Sequence, residues 1–200
     1  MTENFLKLKE ARQFLEEKFG EAPAIAVVLG SGLGIFADEL QNKDSVPAKD
    51  IPGGSASSVE GHKGQLIIGN SDQKKIAVLS GRIHGFEGHS PEQVVSVVRA
   101  LRLWGVEKFV ITNSSGSTHK DCPPGRLVLI KDHLNFTGKN PLVGKELFDG
   151  PRFPDMSDAY SVKWRTQVIQ QAESLKLKFP LKEATYIGVL GPSFETTAEI

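Results

Sequence analysis

AIAVVLGSGLG, residues 24–34, runs six aliphatic side chains into a pentapeptide that is three-fifths glycine. A short, branched apolar run closed by glycine is the pattern of a strand buried on both faces. Working outward, the same pattern recurs in QLIIG (65–69), KIAVLSG (75–81), KFVITNSSG (108–116), RLVLIKDHLN (126–135) and ATYIGVLG (184–191). Residues 3–19, 91–104 and 158–176 instead carry helical spacing. Ser90-Pro91-Glu92-Gln93 supplies an N-cap, a proline at the first helical position and a capping-box partner, and Gly105 is a natural stop. Strands alternating with helices predict an α/β fold with a mixed, largely parallel central sheet flanked by helices. QLIIG and KIAVLSG form a hairpin across NSDQK in this reading. No repeat, linker or low-complexity segment interrupts the chain, which reads as a single domain over residues 1–200.

Composition narrows the function classes. With 39% hydrophobic and 24% charged residues, the 200-residue chain suits a globular protein with its own core. Its 24 basic and 24 acidic side chains cancel, so no overall field holds nucleic acid or an anionic membrane. Any anion needs a local site. The N-terminal stretch MTENFLKLKEARQFLEEKFG is amphipathic and contains acids, unlike a signal peptide or a spanning helix, and a cytoplasmic location is expected. The sequons at Asn113 and Asn135 then meet no glycosylation machinery. Cys122 is the single cysteine, which excludes an internal disulfide and a multi-cysteine zinc site. The five histidines show no H-E-x-x-H spacing, so no metal is expected.

In an α/β sheet the ligand crevice lies beyond the carboxyl ends of the strands. Four loops placed there are unusual: GSGLG, GRIHGFEGH, TNSSGSTH and GPSFETTAE. The first lets backbone N–H groups approach an anion, with Ser31 adding a hydroxyl. By itself it reads as a tight turn, since it lacks both the dinucleotide spacing and the lysine–serine pair of a P-loop. Arg82 brings a guanidinium matched to two phosphate oxygens, and His84 points the same way if the strand persists. Ser114, Ser115 and Gly116 permit close backbone approach. Taken singly, each has a plainer role: Arg82 in a surface ion pair, His84 as a structural histidine, the serines as turn formers. Phe194 can offer a ring face and Glu195 a carboxylate for two N–H donors, a pair suited to a heterocyclic base. Their plainer roles are a core ring and a helix-start acid. An anion pocket beside an aromatic-plus-carboxylate pocket suggests a nucleoside with phosphate.

VVLGSGLG, GHKGQLIIG, GRIHGFEGH, VITNSSG, IKDHLNFTGKNPL, RFPDMSDAY and GPSFETTAE follow one another in an order that resembles the trimeric purine nucleoside phosphorylases, from about residue 24 to the last residue. The resemblance implies a nucleoside phosphorylase-like fold and the phosphorolysis of inosine, guanosine and their 2′-deoxy forms to free base and pentose 1-phosphate, a purine-salvage reaction. It assigns phosphate to Ser31, His62, Arg82, His84 and Ser114, and base and sugar to Phe86, Ser115, Gly116, Phe153, Phe194 and Glu195. His84 and Glu195 take the catalytic parts. Inorganic phosphate is the co-substrate, with no cofactor or metal. Phe153 is implied to reach a neighbouring subunit's sugar site in a homotrimer.

Some positions depart from the family pattern. Phe86 stands where tyrosine is common, and Ser114 and Ser115 replace two alanines. The family also continues past this end and supplies an asparagine, a methionine and a serine that have no counterpart here. The chain is therefore expected to be C-terminally incomplete relative to the family, an expectation shared by Thr196-Thr197-Ala198-Glu199, a capping-box start that calls for a helix. Two alternatives remain open, a methylthioadenosine phosphorylase and an inactive relative that binds nucleoside or phosphate.

Overall fold

In a computed structural model of the protein, residues 3–56, 64–144 and 151–200 are described. They divide into two compact units, Met1–Ser115 and Gly116–Ile200.

The first unit is built on the strand with which the sequence reading began. β1 (Ile25–Leu29) lies between β4 (Lys74–Ser80) and β5 (Lys108–Ile111), parallel to both. β3 (Gln65–Ser71) pairs antiparallel with β4, and β2 (Gln41–Pro47) antiparallel with β3, so the five-stranded sheet runs β2-β3-β4-β1-β5. The sheet is mixed, as expected, with parallel and antiparallel pairings in equal number. The β3–β4 hairpin closes through Asp72 (φ 47°) and Gln73 (φ 65°). Positive φ at both central residues matches the right-handed twist of the flanking strands.

Leu29 of β1 packs with Ile67, Ile76 and Val78 against Ala37 and Leu40, and Ile25 and Val27 join that cluster. Ala26 and Val28, which the two-residue period turns to the opposite face, are buried too. β1 is thus covered on both sides. Helix α1 (Glu3–Phe19) buries Leu8, Ala11 and Leu15, and the short helix α2 (Ile35–Asp38) buries Ala37. The predicted helix over 91–104 is resolved into α3 (Pro91–Val94) and α4 (Ser96–Trp104), parted by Val95 at φ −97°, ψ 1°. Ser90 caps it as foreseen: its hydroxyl accepts from Gln93 N at 3.3 Å and its N–H donates to Gln93 Oε1 at 2.8 Å. Gly105 ends α4 with φ 136°, a value that favours glycine. The C-terminus of α1 is held by Lys75 Nζ, which donates to Phe19 O (2.9 Å) and Glu21 O (2.5 Å), and by Trp104 Nε1, which donates to Gly20 O (3.0 Å).

In the second unit β6 (Val128–Asn135) and β7 (Lys182–Gly188) form a parallel pair, and α5 (Val162–Ser174) comes between them in the chain. A parallel pair needs such a crossover. Burial on both faces, expected for most strands, fails here and in β5: each of these three strands has only exposed or half-buried residues. β5 is also shorter than its sequence pattern, because pairing with β1 stops at Ile111 and the chain leaves the sheet at Thr112. Among the described residues no helix is long and apolar enough to cross a membrane.

Candidate active site

Three parallel strands of the first unit end together, with Leu29 opposite Ser80 and Val28 opposite Ile111. The loops that follow them carry Ser31, the Arg82–Phe86 run and Ser114–Ser115. β4 stops at Ser80, and Gly81 at φ 89° turns the chain out of the sheet. The two-residue alternation proposed to align Arg82 with His84 therefore does not apply; the turn places them instead.

Arg82 reaches back across the sheet edge. Its Nη1 donates to Thr112 O at 2.7 Å and lies 3.4 Å from Leu29 O, the last residue of β1. The guanidinium is anchored to the backbone at the ends of two strands. Together with Gly64, Ser55, Gln93 and Ser96 it also lines a small, open hollow. Gly30 shows why glycine leads the first loop. A Cβ there would lie 2.8 Å from Asn113 Cα and 2.9 Å from Thr112 O, too close for any side chain. Its N–H donates to Thr112 Oγ1 at 2.8 Å. Ser114 Oγ lies 3.5 Å from Ser31 O, at the limit of a hydrogen bond, so the first and third loops meet again one step further out.

His84 is oriented by a residue that sequence reasoning left out of the site. Glu87 Oε1 accepts from His84 N at 2.7 Å and from His84 Nδ1 at 2.8 Å, and the Glu87 side chain is only 2% exposed. An ionised carboxylate accepts only, so this contact assigns the hydrogen to Nδ1 and sets Nε2 on the opposite edge of the ring. The Phe86 ring stacks on the imidazole, with centroids 4.9 Å apart and planes at 20°. The signal was available: His84 and Glu87 stand in capping-box spacing around the 3-10 turn Gly85–Glu87, and the Glu87 carboxylate returns the bond to the His84 backbone N–H.

The remaining candidates belong to the second unit, apart from His62, which lies outside the described residues. Phe194 is 94% exposed and Phe153 is 88% exposed, so neither ring is a core residue. Glu195 and Gly116 are exposed as well. The Arg152 guanidinium lies 5.7 Å from the Phe153 ring centroid and donates to Leu142 O at 3.1 Å. Further along, the Asp155 carboxylate accepts from Ser157 N and Oγ, and those bonds hold its pKa below the usual value. Tyr160 OH meets His133 Nδ1 at 3.1 Å, and Tyr160 O accepts from Arg165 Nε at 3.1 Å while Arg165 also pairs with Glu183. This fastens the end of the RFPDMSDAY segment to β6, α5 and β7.

The chain is similar to known proteins over nearly its whole length. The phosphorylase superfamily, as a family profile, matches residues 24–200. Purine nucleoside phosphorylase 1 of Geobacillus stearothermophilus is 41% identical over 98% of this chain and 72% of its own length. The Bacillus subtilis protein of the same name is 40% identical over 97% and 71%. Among solved structures, isoform 2 of purine nucleoside phosphorylase from Schistosoma mansoni, in complex with cytosine and ribose-1-phosphate, superposes with a TM-score of 0.91 at 32% identity, covering all of this chain and 71% of that one. The chain belongs to the phosphorylase superfamily and, within it, to the purine nucleoside phosphorylases.

Proposed function

We propose that this chain carries out phosphorolysis of 6-oxopurine nucleosides, inosine and guanosine with their 2′-deoxy forms, yielding free base and (deoxy)ribose 1-phosphate for purine salvage. The observation that carries the reading is the placement of Ser31, Arg82 and His84 in loops that follow one carboxyl edge, with Arg82 braced on Leu29 O and Thr112 O. Inorganic phosphate is the co-substrate, held by these residues with help from Ser114 and His62. No metal or further cofactor is invoked. Cleavage of the glycosidic bond passes through an oxocarbenium-like sugar, so a phosphate held against it supplies both the nucleophile and a compensating negative charge. The C–N bond breaks as the phosphate C–O bond forms, and the purine leaves with the electron pair. Phe194 and Glu195 receive the base, with Ser115 and Gly116 beside it and Phe86 towards the sugar. Phe153, exposed and backed by Arg152, serves a neighbouring subunit's site in a homotrimer, and the location is cytoplasmic.

Glu195 sets the selectivity. A 6-oxopurine turns N1–H towards the carboxylate, whereas adenine turns a lone pair to it and leaves two acceptors face to face. Discrimination on the order of ten-thousand-fold follows when such a bond is lost. Initial rates with inosine and adenosine at one saturating phosphate concentration measure it, with Glu195→Gln expected to narrow the gap. Equal turnover of the two nucleosides would sink the reading.

A further inference from the structure

We infer that Thr112 is a positioning residue for phosphate, acting through Gly30 and Arg82; the inference rests on the assignment of Ser31 and Arg82 to that anion. Thr112 lies at the first position after β5, and every polar atom it offers is spent across the sheet edge. Its hydroxyl accepts from Gly30 N at 2.8 Å and donates to Val28 O at 3.0 Å, while its N–H donates to Val28 O at 2.9 Å. Its carbonyl accepts from Arg82 Nη1 at 2.7 Å. One residue thus holds the backbone immediately before Ser31 and the guanidinium two residues past the end of β4.

The geometry makes the hydroxyl hard to replace. Gly30 is buried, and its N–H finds its acceptor in a side chain where the parallel ladder has ended. The close fit of Gly30 against Thr112 O and Asn113 Cα depends on that bond holding the two strand ends together. Without it a buried donor loses its partner, and the loop bearing Ser31 must shift or let in water. A misplacement of an ångström or less is enough to weaken an anion site built from converging donors. Ser31 and the Arg82 brace are both one covalent or hydrogen-bonded step from Thr112, so a change there is felt first in phosphate affinity.

Thr112→Val keeps the branched shape and removes both hydroxyl bonds; Thr112→Ser keeps the hydroxyl and removes a methyl. Inorganic phosphate affinity of the folded protein, measured by titration calorimetry, is expected to fall about tenfold in Thr112→Val and to return close to wild type in Thr112→Ser, with affinity for inosine changed far less. A hydroxyl that merely steadied the strand would lower the unfolding midpoint of Thr112→Val and leave phosphate affinity alone. Arg82→Ala, run in parallel, separates the two ways of being wrong. Weak phosphate binding in Arg82→Ala with normal binding in Thr112→Val overturns the positioning role only. Normal binding in Arg82→Ala removes the phosphate site from these residues, and the role of Thr112 with it. If Thr112→Val does not fold, Thr112→Cys offers a weaker acceptor of similar size. An intermediate loss of phosphate affinity then supports the proposal, and wild-type affinity overturns it.

Discussion

β4 and β6 are written in similar letters and end in opposite environments. KKIAVLS buries its last five residues, while VLIKDHLN buries none. β4 has β3 and β1 as neighbours within a sheet of five, with apolar side chains packed over it; β6 has the single neighbour β7. An apolar run is a permission to be buried. Whether it is depends on the layers that other segments bring to it, which is a tertiary property. The difference runs through the two units: the first holds nearly all the buried core, and in the second Ala172 is the one buried apolar side chain among the described residues.

The largest test of that contrast compares two leucines. Leu101 on α4 is fully buried and Leu134 on β6 is 47% exposed. Leu101→Ala leaves a cavity among packed neighbours and is expected to cost about 2–5 kcal/mol. Leu134→Ala removes a side chain that has already kept half its contact with water, and a loss below about 1 kcal/mol is expected. Denaturant unfolding of the two variants measures both. Equal losses would mean that Leu134 is covered by something beyond its own unit.

The same contrast explains what the sequence made legible. β1, β3 and β4, the hairpin turn and the Ser90 cap follow from local pattern, because each is decided by residues adjacent in sequence or by the period of one strand. β2 went unseen. Gln41-Asn42-Lys43-Asp44-Ser45 has no apolar alternation and no buried side chain, and pairs with β3 across a bulge between Gln41 and Asp44. Edge strands can be polar because only backbone bonds and one covered neighbour are needed. In the site, Arg82, His84 and Ser31 were legible from residue type at strand ends. Thr112 was not, since its role is to hold other residues and emerges only when the partners' positions are known; Glu87 was signalled by its capping-box spacing to His84 and was passed over. Phe194 was open between core and ligand; its exposure rules out the first.

Two serine caps sharpen the comparison at smaller magnitude. Ser90 at the head of α3 makes both bonds of a capping box, whereas Ser161 at the head of α5 makes one, accepting from Trp164 N at 3.3 Å. Replacing either by alanine orphans a helix N–H, at about 1 kcal/mol. Ser90→Ala is expected to cost more than Ser161→Ala, because the Gln93 side chain loses the geometry that lets it return the bond. Helix content and unfolding midpoint of the pair decide it. A larger loss from Ser161 would place the more constrained helix start in the second unit.

The smallest effect lies at the Tyr160–His133 contact, where a phenol is partly sheltered. Burial pushes the Tyr160 hydroxyl above its ordinary value of 10.0, and the nearby Asp132 carboxylate and Tyr186 add to the rise. A folded-state pKa above the unfolded value means that the native protein holds this proton more tightly. The contribution to stability is complete below pH 10 and declines as pH rises through the folded value. Only two tyrosines are present, so an ultraviolet difference titration of the phenolates is simple to read. A phenolate step is expected above pH 10, and Tyr160→Phe should abolish it. The same variant should flatten the alkaline decline in stability, since its ring carries no proton to lose. Survival of the late step in Tyr160→Phe would assign that step to the other tyrosine and show that the shelter around the Tyr160 phenol is too slight to matter.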